Sequence, residues 1–198
     1  IALNAGDYDT AQTLLEALIA FEPDEYFRFP RLAATYAAKG GFNITELGQI
    51  DQSAAGSASF LDAIGAFLPT PDRNDLGAYR EKVSNVEKAR DQLIKMPEAE
   101  RKKGETFYGA SAALQLTLYQ SAYSVMFMNQ FAIPDPTTGE IDVEALQSMT
   151  IDDALTVLEN FRDSVAIAQV ENPEIAEKAG LHIVTPAHFI EAWAKEGT

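Results

Sequence analysis

Gly6-Asp7-Tyr8-Asp9-Thr10-Ala11, read together with Gly40-Gly41-Phe42, decides how this chain folds. From the first stretch a helix runs forward, with Leu14, Leu15, Leu18 and Ile19 at helical spacing, and Glu22-Pro23-Asp24 stops it. A second helix is predicted from about Tyr26 to Lys39, carrying Leu32, Ala33 and Tyr36, and it ends at the paired glycines. Gly6 and Gly40 are 34 residues apart, and so are Tyr8 and Phe42. Each residue type has a physical reason. The glycines let the chain pass a helix end at positive φ, and the aromatic two residues later packs under the turn. Ala11 and Ala33 sit where the paired helices approach closely, and Pro23 is tolerated between helices.

That offset is the tetratricopeptide period. Residues 2–23 resemble the second half of one tetratricopeptide repeat and residues 24–41 the first helix of the next. The resemblance covers residues 2–42. A further regular repeat would place a small residue at Thr45 and a large apolar one at Gln49, and neither fits. The resemblance implies stacked helix pairs with a concave face that takes peptides or partner helices. The wider layout looks like the irregular helical-repeat proteins of bacterial cell envelopes. Some of these are lipoproteins, and some are helical partner components of solute-transport systems. That implies a periplasmic or envelope-associated place, with a lipid anchor upstream of Ile1, and the cytoplasm as the other expectation. No binding residue is carried over from it.

Further along, Asn43-Ile44-Thr45-Glu46 reads as a capping box; its Asn-x-Thr triplet is also a glycosylation acceptor, the lesser reading. A short apolar helix is predicted around Phe60–Phe67. Leu68-Pro69-Thr70-Pro71-Asp72-Arg73 is the clearest break, dividing a repeat-like unit (1–68) from an irregular helical unit (74–198) within one continuous domain. A long amphipathic helix then spans about Asp75 to Met96, with Tyr79, Val83, Val86, Ala89, Leu93 and Met96 on one face. Residues 106–134 carry no charge and are predicted to form the central helix. Gln115, Thr117, Gln120, Ser121, Ser124, Asn129 and Gln130 make it too polar for a bilayer, so no transmembrane span is expected. Thr150 caps a helix over about Ile151–Val170, with Asp153 at its positive end and Ala154, Leu155, Leu158, Phe161, Val165 and Ile167 on its apolar side. Thr185-Pro186 opens a last helix carrying Trp193. The expected fold is all-α: tetratricopeptide-like hairpins continuing into an irregular α-solenoid or helical bundle.

The bulk composition narrows the function. Of 198 residues, 30 are acidic and 15 basic, a net charge of −15, which argues against nucleic acid and against docking on an anionic membrane. Eight of the 15 bases fall within positions 80–103, which reads first as a salt-bridge-laced surface helix followed by solvated acidic faces, and second as an acidic half that meets a basic partner or a second copy of that helix. The absence of cysteine removes disulfides and thiolate chemistry. His182 and His188 do not sit in a Glu-x-x-His pattern, and Asp135, Glu140 and Asp142 around Gly139 lack calcium-loop spacing. No phosphate loop, nucleophile elbow or acid–base dyad is present, so no catalytic, metal or cofactor site is expected. Tyr119, Tyr123, Phe127 and Phe131 recur every fourth residue; the stripe is either core or, if exposed, the best partner or ligand surface. These features point to a protein-binding scaffold with protein partners, self-association among them. The alternative is a helical binder of small apolar ligands.

Overall fold

The structure, a computed structural model, describes residues 6–43, 65, 67–72, 74–103, 106–107, 110–131 and 147–173. Over these the fold is all-α, with one two-residue β ladder. Helix α1 (Tyr8–Phe21) begins at Asp7, whose carboxylate accepts from the Thr10 amide at 3.2 Å, and Gly6 enters the cap at φ +75°. Helix α2 (Arg28–Lys39) returns antiparallel to it. The hairpin is stapled by Arg28, whose guanidinium donates to the Leu18 carbonyl at 2.8 Å and pairs with Glu22. Arg28 is a second donor to that carbonyl, which also accepts from the Glu22 amide at 3.0 Å, so one side chain reinforces the α1 C-terminus and fixes the turn. As expected from sequence, Ala11 and Ala33 are buried.

The paired glycines divide their work differently from the expectation. Gly41, not Gly40, takes the left-handed conformation, at φ +77°; Gly40 has φ −73°. Gly40 is small for another reason: a Cβ there would lie 2.5 Å from Val86 Cγ2 and 2.9 Å from the Lys82 carbonyl oxygen. It is the point at which α2 meets the next helix. Beyond the turn, Phe42 donates its amide to Ala37 at 2.9 Å and buries its ring completely.

Helix α3 (Leu76–Ile94) is capped by Asp75, which accepts from the Ala78 amide at 3.0 Å. Its face of Tyr79, Val83, Val86, Ala89 and Leu93, followed by Met96, is buried as the spacing predicts. A single turn, α4 (Glu98–Arg101), leads to strands β1 (Thr106–Phe107) and β2 (Ala110–Ser111), paired antiparallel with Thr106 opposite Ser111. The uncharged stretch therefore does not become one helix over 106–134. Ser111 caps it, accepting from the Leu114 amide at 3.2 Å, and helix α5 occupies Ala112–Asn129. Helix α6 (Ile151–Glu171) opens with a full reciprocal box: Asp153 donates its amide to the Thr150 hydroxyl, and the Thr150 amide donates to the Asp153 carboxylate at 2.9 Å.

Each long helix packs on the next. α1 packs on α2, α2 on α3, α3 on α5 and α5 on α6. One core joins Leu32, Tyr36 and Phe42 to Val83, Val86 and Leu93 of α3 and to Leu116, Tyr119 and Met126 of α5. Leu68, at the break, belongs to that same core, so the Pro-rich segment crosses the edge of a single core. Asn43 is described, but the rest of its predicted capping box, the helix around Phe60, the acidic loop 135–142 and the segment with His182, His188 and Trp193 lie outside the described residues.

The α5–α6 contact is of another kind. Of the residues the sequence places inward, Phe161 and Ile167 pack against the core, whereas Leu155 is exposed and Ala154, Leu158 and Val165 are only half-buried; the fully buried side of α6 is Val157, Asn160, Ser164, Ala168 and Glu171. Opposite them, Gln120 Nε2 donates to the Asn160 carbonyl at 3.1 Å, and the Ser124 and Ser164 hydroxyls meet at 2.8 Å. Asn172 Nδ2 donates to Thr117 Oγ1 at 2.8 Å. Small hydroxyl residues bring the backbones close, and the buried polar groups bond both across the seam and back to their own helix, as Ser124 does to the Gln120 carbonyl and Ser164 to the Asn160 carbonyl. A volume-based apolar count misses this seam. At its end Arg101 Nε donates to the buried Glu171 carboxylate at 3.0 Å, tying α4 to α6.

Two substitutions test this packing. Gly40→Ala should destabilise the fold by about 1–3 kcal/mol, because rigid Val86 and backbone must yield; Tyr36→Ala should cost about 3 kcal/mol, as core aromatic truncations do. Urea titration measures both, and a loss below about 0.5 kcal/mol in either would contradict the packing described. Breaking the buried pair alone with Glu171→Leu should cost about 3–5 kcal/mol, whereas Arg101→Met with Glu171→Leu should restore much of that loss.

Candidate interaction surface

Four aromatics singled out by the sequence as a candidate partner surface meet two fates. Tyr119 is completely buried, its ring edge-on to Phe42 at 6.0 Å between centroids, and Tyr123 is buried beside it. Both belong to the core and offer no surface, because the helix that carries them is covered by α3 on one side and α6 on the other. Phe127 and Phe131 are half-buried and continue the stripe ring to ring, at 5.9 Å each. Only this end of the stripe reaches the surface.

Two tyrosines are held in the same manner on opposite flanks of α3. The Tyr36 hydroxyl donates to Glu16, and Lys88 lies 6.0 Å over its ring; the Tyr123 hydroxyl donates to Glu87 at 3.0 Å, and Arg90 lies 4.6 Å over its ring. Burial first, then the neighbouring carboxylate, pushes each phenol up to about 12; Tyr79, buried with its hydroxyl 3.3 Å from the Met126 carbonyl, is raised likewise to about 12. Lys39 completes the α1–α2 side, donating to Asp9 and to Gln12, each at 2.7 Å. These are interlocked structural contacts, with each of these carboxylates already answered by a phenol or a cation.

The bare surface lies elsewhere, on α1. Helical spacing predicts a shared inward side for Leu14, Leu15, Leu18 and Ile19, but they split. Leu15 and Ile19 pack on the core, whereas Leu14, Leu18 and Phe21 face outward, 56%, 45% and 81% exposed. With Thr10, Ala17 and Ala20, also exposed, they make one uncharged side of the helix. The adjacent pairs Leu14-Leu15 and Leu18-Ile19 make a wide apolar arc, and spacing alone does not say which part of it the one neighbour, α2, covers. The charged residues of α1 point the other way, Asp9 to Lys39 and Glu16 to Tyr36. Past the helix end, Glu22, Asp24 and Glu25 are exposed, with Phe27 beside them stacked under Arg31 at 4.9 Å. On α6, Ile151, Leu155 and Val170 are also exposed.

Beneath Phe27 a half-open groove is lined by Asp24, Pro30, Met96, Glu100 and Lys103. Among the described residues no group of three or more His, Asp or Glu side chains is arranged to hold a metal, and no helix is long and apolar enough to cross a membrane. Comparison with protein-family models, with curated proteins and with solved structures finds no match for this chain.

The raised tyrosines set an alkaline limit. A phenol whose folded value exceeds its unfolded value of about 10 stabilises the fold fully below that pH and loses its contribution as pH rises to the folded value. Stability should therefore decline between about pH 10 and about pH 12, the value to which Tyr36, Tyr79 and Tyr123 are raised. Denaturant midpoints across that range should fall less steeply in Tyr79→Phe; an unchanged slope would remove Tyr79 as a contributor.

Proposed function

We propose that this chain is a non-enzymatic binding or scaffold protein of tetratricopeptide-like type, working through helix-on-helix contacts with a protein partner. The observation that carries this reading is the order of packing: α2, α3 and α5 each contact two helices, whereas among the described residues α1 packs on α2 alone and bares Leu14, Leu18 and Phe21. An apolar strip of that kind on a strongly acidic protein has a solvation cost that a partner would remove. The 34-residue echo of Gly6 and Tyr8 in Gly40 and Phe42 supports the same class. A place in a bacterial envelope complex goes with this reading and rests on the likeness of layout alone.

The test is in-cell photocrosslinking of the tagged chain, followed by purification in high salt and mass spectrometry. A defined protein partner, recovered in near-stoichiometric amount and retained in salt, is the expected result, since an apolar contact is not screened. A monodisperse chain carrying a small molecule, with ligand-dependent melting, would replace the scaffold reading with a ligand-binding one.

A further inference from the structure

We infer that the bare side of α1 is the seat for one further helix, supplied by the partner, whose apolar stripe is flanked by lysines or arginines. The inference rests on the scaffold reading above and adds to it the site and the chemistry of what docks there.

Three features of α1 specify the occupant. The first is continuity of the stack. Among the described residues α2, α3 and α5 each contact two helices, and α1 packs on α2 alone, so one more helix in the same packing extends the stack. The second is the shape of the bare strip. Leu14, Leu18 and Phe21 stand at helical spacing, and exposed Ala17 and Ala20 lie beside them, which admits close approach of a helix backbone. An extended strand would leave its backbone groups unanswered there, because the strip offers no free main-chain donor or acceptor within the helix. The third is charge. The strip itself carries none, but exposed Asp7 precedes it and exposed Asp24 and Glu25 follow it, with the negative end of the α1 dipole between. The nearest bases are engaged, Arg28 with Glu22 and Lys39 with Asp9. A basic-flanked helix gains from this rim, whereas a second α1, bringing the same acids, meets repulsion.

The test uses the full chain and three labelled peptides of about 18 residues, long enough to hold a helix. One has a leucine stripe with lysine flanks, one the same stripe with glutamate flanks, and one a scrambled order. The lysine-flanked peptide should bind, shift the methyl signals of Leu14 and Leu18, and bind at least about tenfold more tightly than the glutamate-flanked peptide at low salt. Leu18→Asp with Phe21→Asp should reduce that binding by about tenfold or more. Both residues are exposed, so the melting temperature of the double variant should stay within a few degrees of the parent and report that the fold is intact. Equal binding of the two flanked peptides, no binding of any, or binding that survives the double substitution overturns the inference. So does sedimentation showing that the chain pairs with itself through α1 and that the double variant abolishes the pairing. If crosslinking still recovers the same partner with the double variant, the scaffold reading stands and this site for it falls.

Discussion

Helix α5 is buried on every side from Gln115 to Met126, and nearly everything else in the fold answers to that constraint. A helix enclosed around its whole girth must find partners for whatever it carries. α5 carries aromatic and aliphatic groups toward α3 and the hairpin, and amides and hydroxyls toward α6. Tyr119 against Phe42 draws the post-hairpin turn onto the centre. Gly40 lets α2 come close enough to α3 for that contact to form, and Gly41 supplies the positive φ that turns Phe42 inward. Local backbone demands and central packing thus agree, which is what a well-specified sequence shows.

Elements set by local chemistry were legible in the sequence. Asp7, Asp75 and Thr150 were readable as helix starts or helix edges, and the α3 stripe from Tyr79 to Met96 followed directly from a 3.6-residue period. The centrality of α5 was legible from its lack of charge. What escaped depended on which neighbour a face would meet. Periodicity marks apolar residues, so it chose Leu155 and Val165 as the inward side of α6; the real contact is made by Asn160, Ser164 and Ala168 because the facing side of α5 is itself polar. The same ambiguity hid the outward turn of Leu14 and Leu18, since a helix apolar on two sides gives no preference until its single neighbour is known. The charge-free run was over-extended for a simpler reason: neutrality shows burial, not helicity, and Ser111 begins the helix five residues after the run does.

The candidate surface was the harder problem. An aromatic stripe is equally consistent with a groove and with a core, and in α5 the two inner members are core while the two outer members approach the surface. The polar clusters that at first suggest chemistry, around Tyr36 and Tyr123, are closed sets in which phenol, carboxylate and cation neutralise one another. On the scaffold reading proposed above, what matters is shape and which helix flanks are left bare. That reading agrees with a chain whose helices contact in sequence order.

The hydroxyl-lined seam between α5 and α6 has a meaning during synthesis. α6 leaves the ribosome after the rest of the described stack, so for some seconds the completed portion must wait without it. The flank left open in that interval presents Thr117, Gln120, Ser121 and Ser124, side chains that water satisfies well. A leucine-rich flank in the same place would be a sticky surface on every nascent chain. Here the last described helix meets a flank whose side chains water can satisfy, and its end is joined to α4 by the Arg101–Glu171 pair.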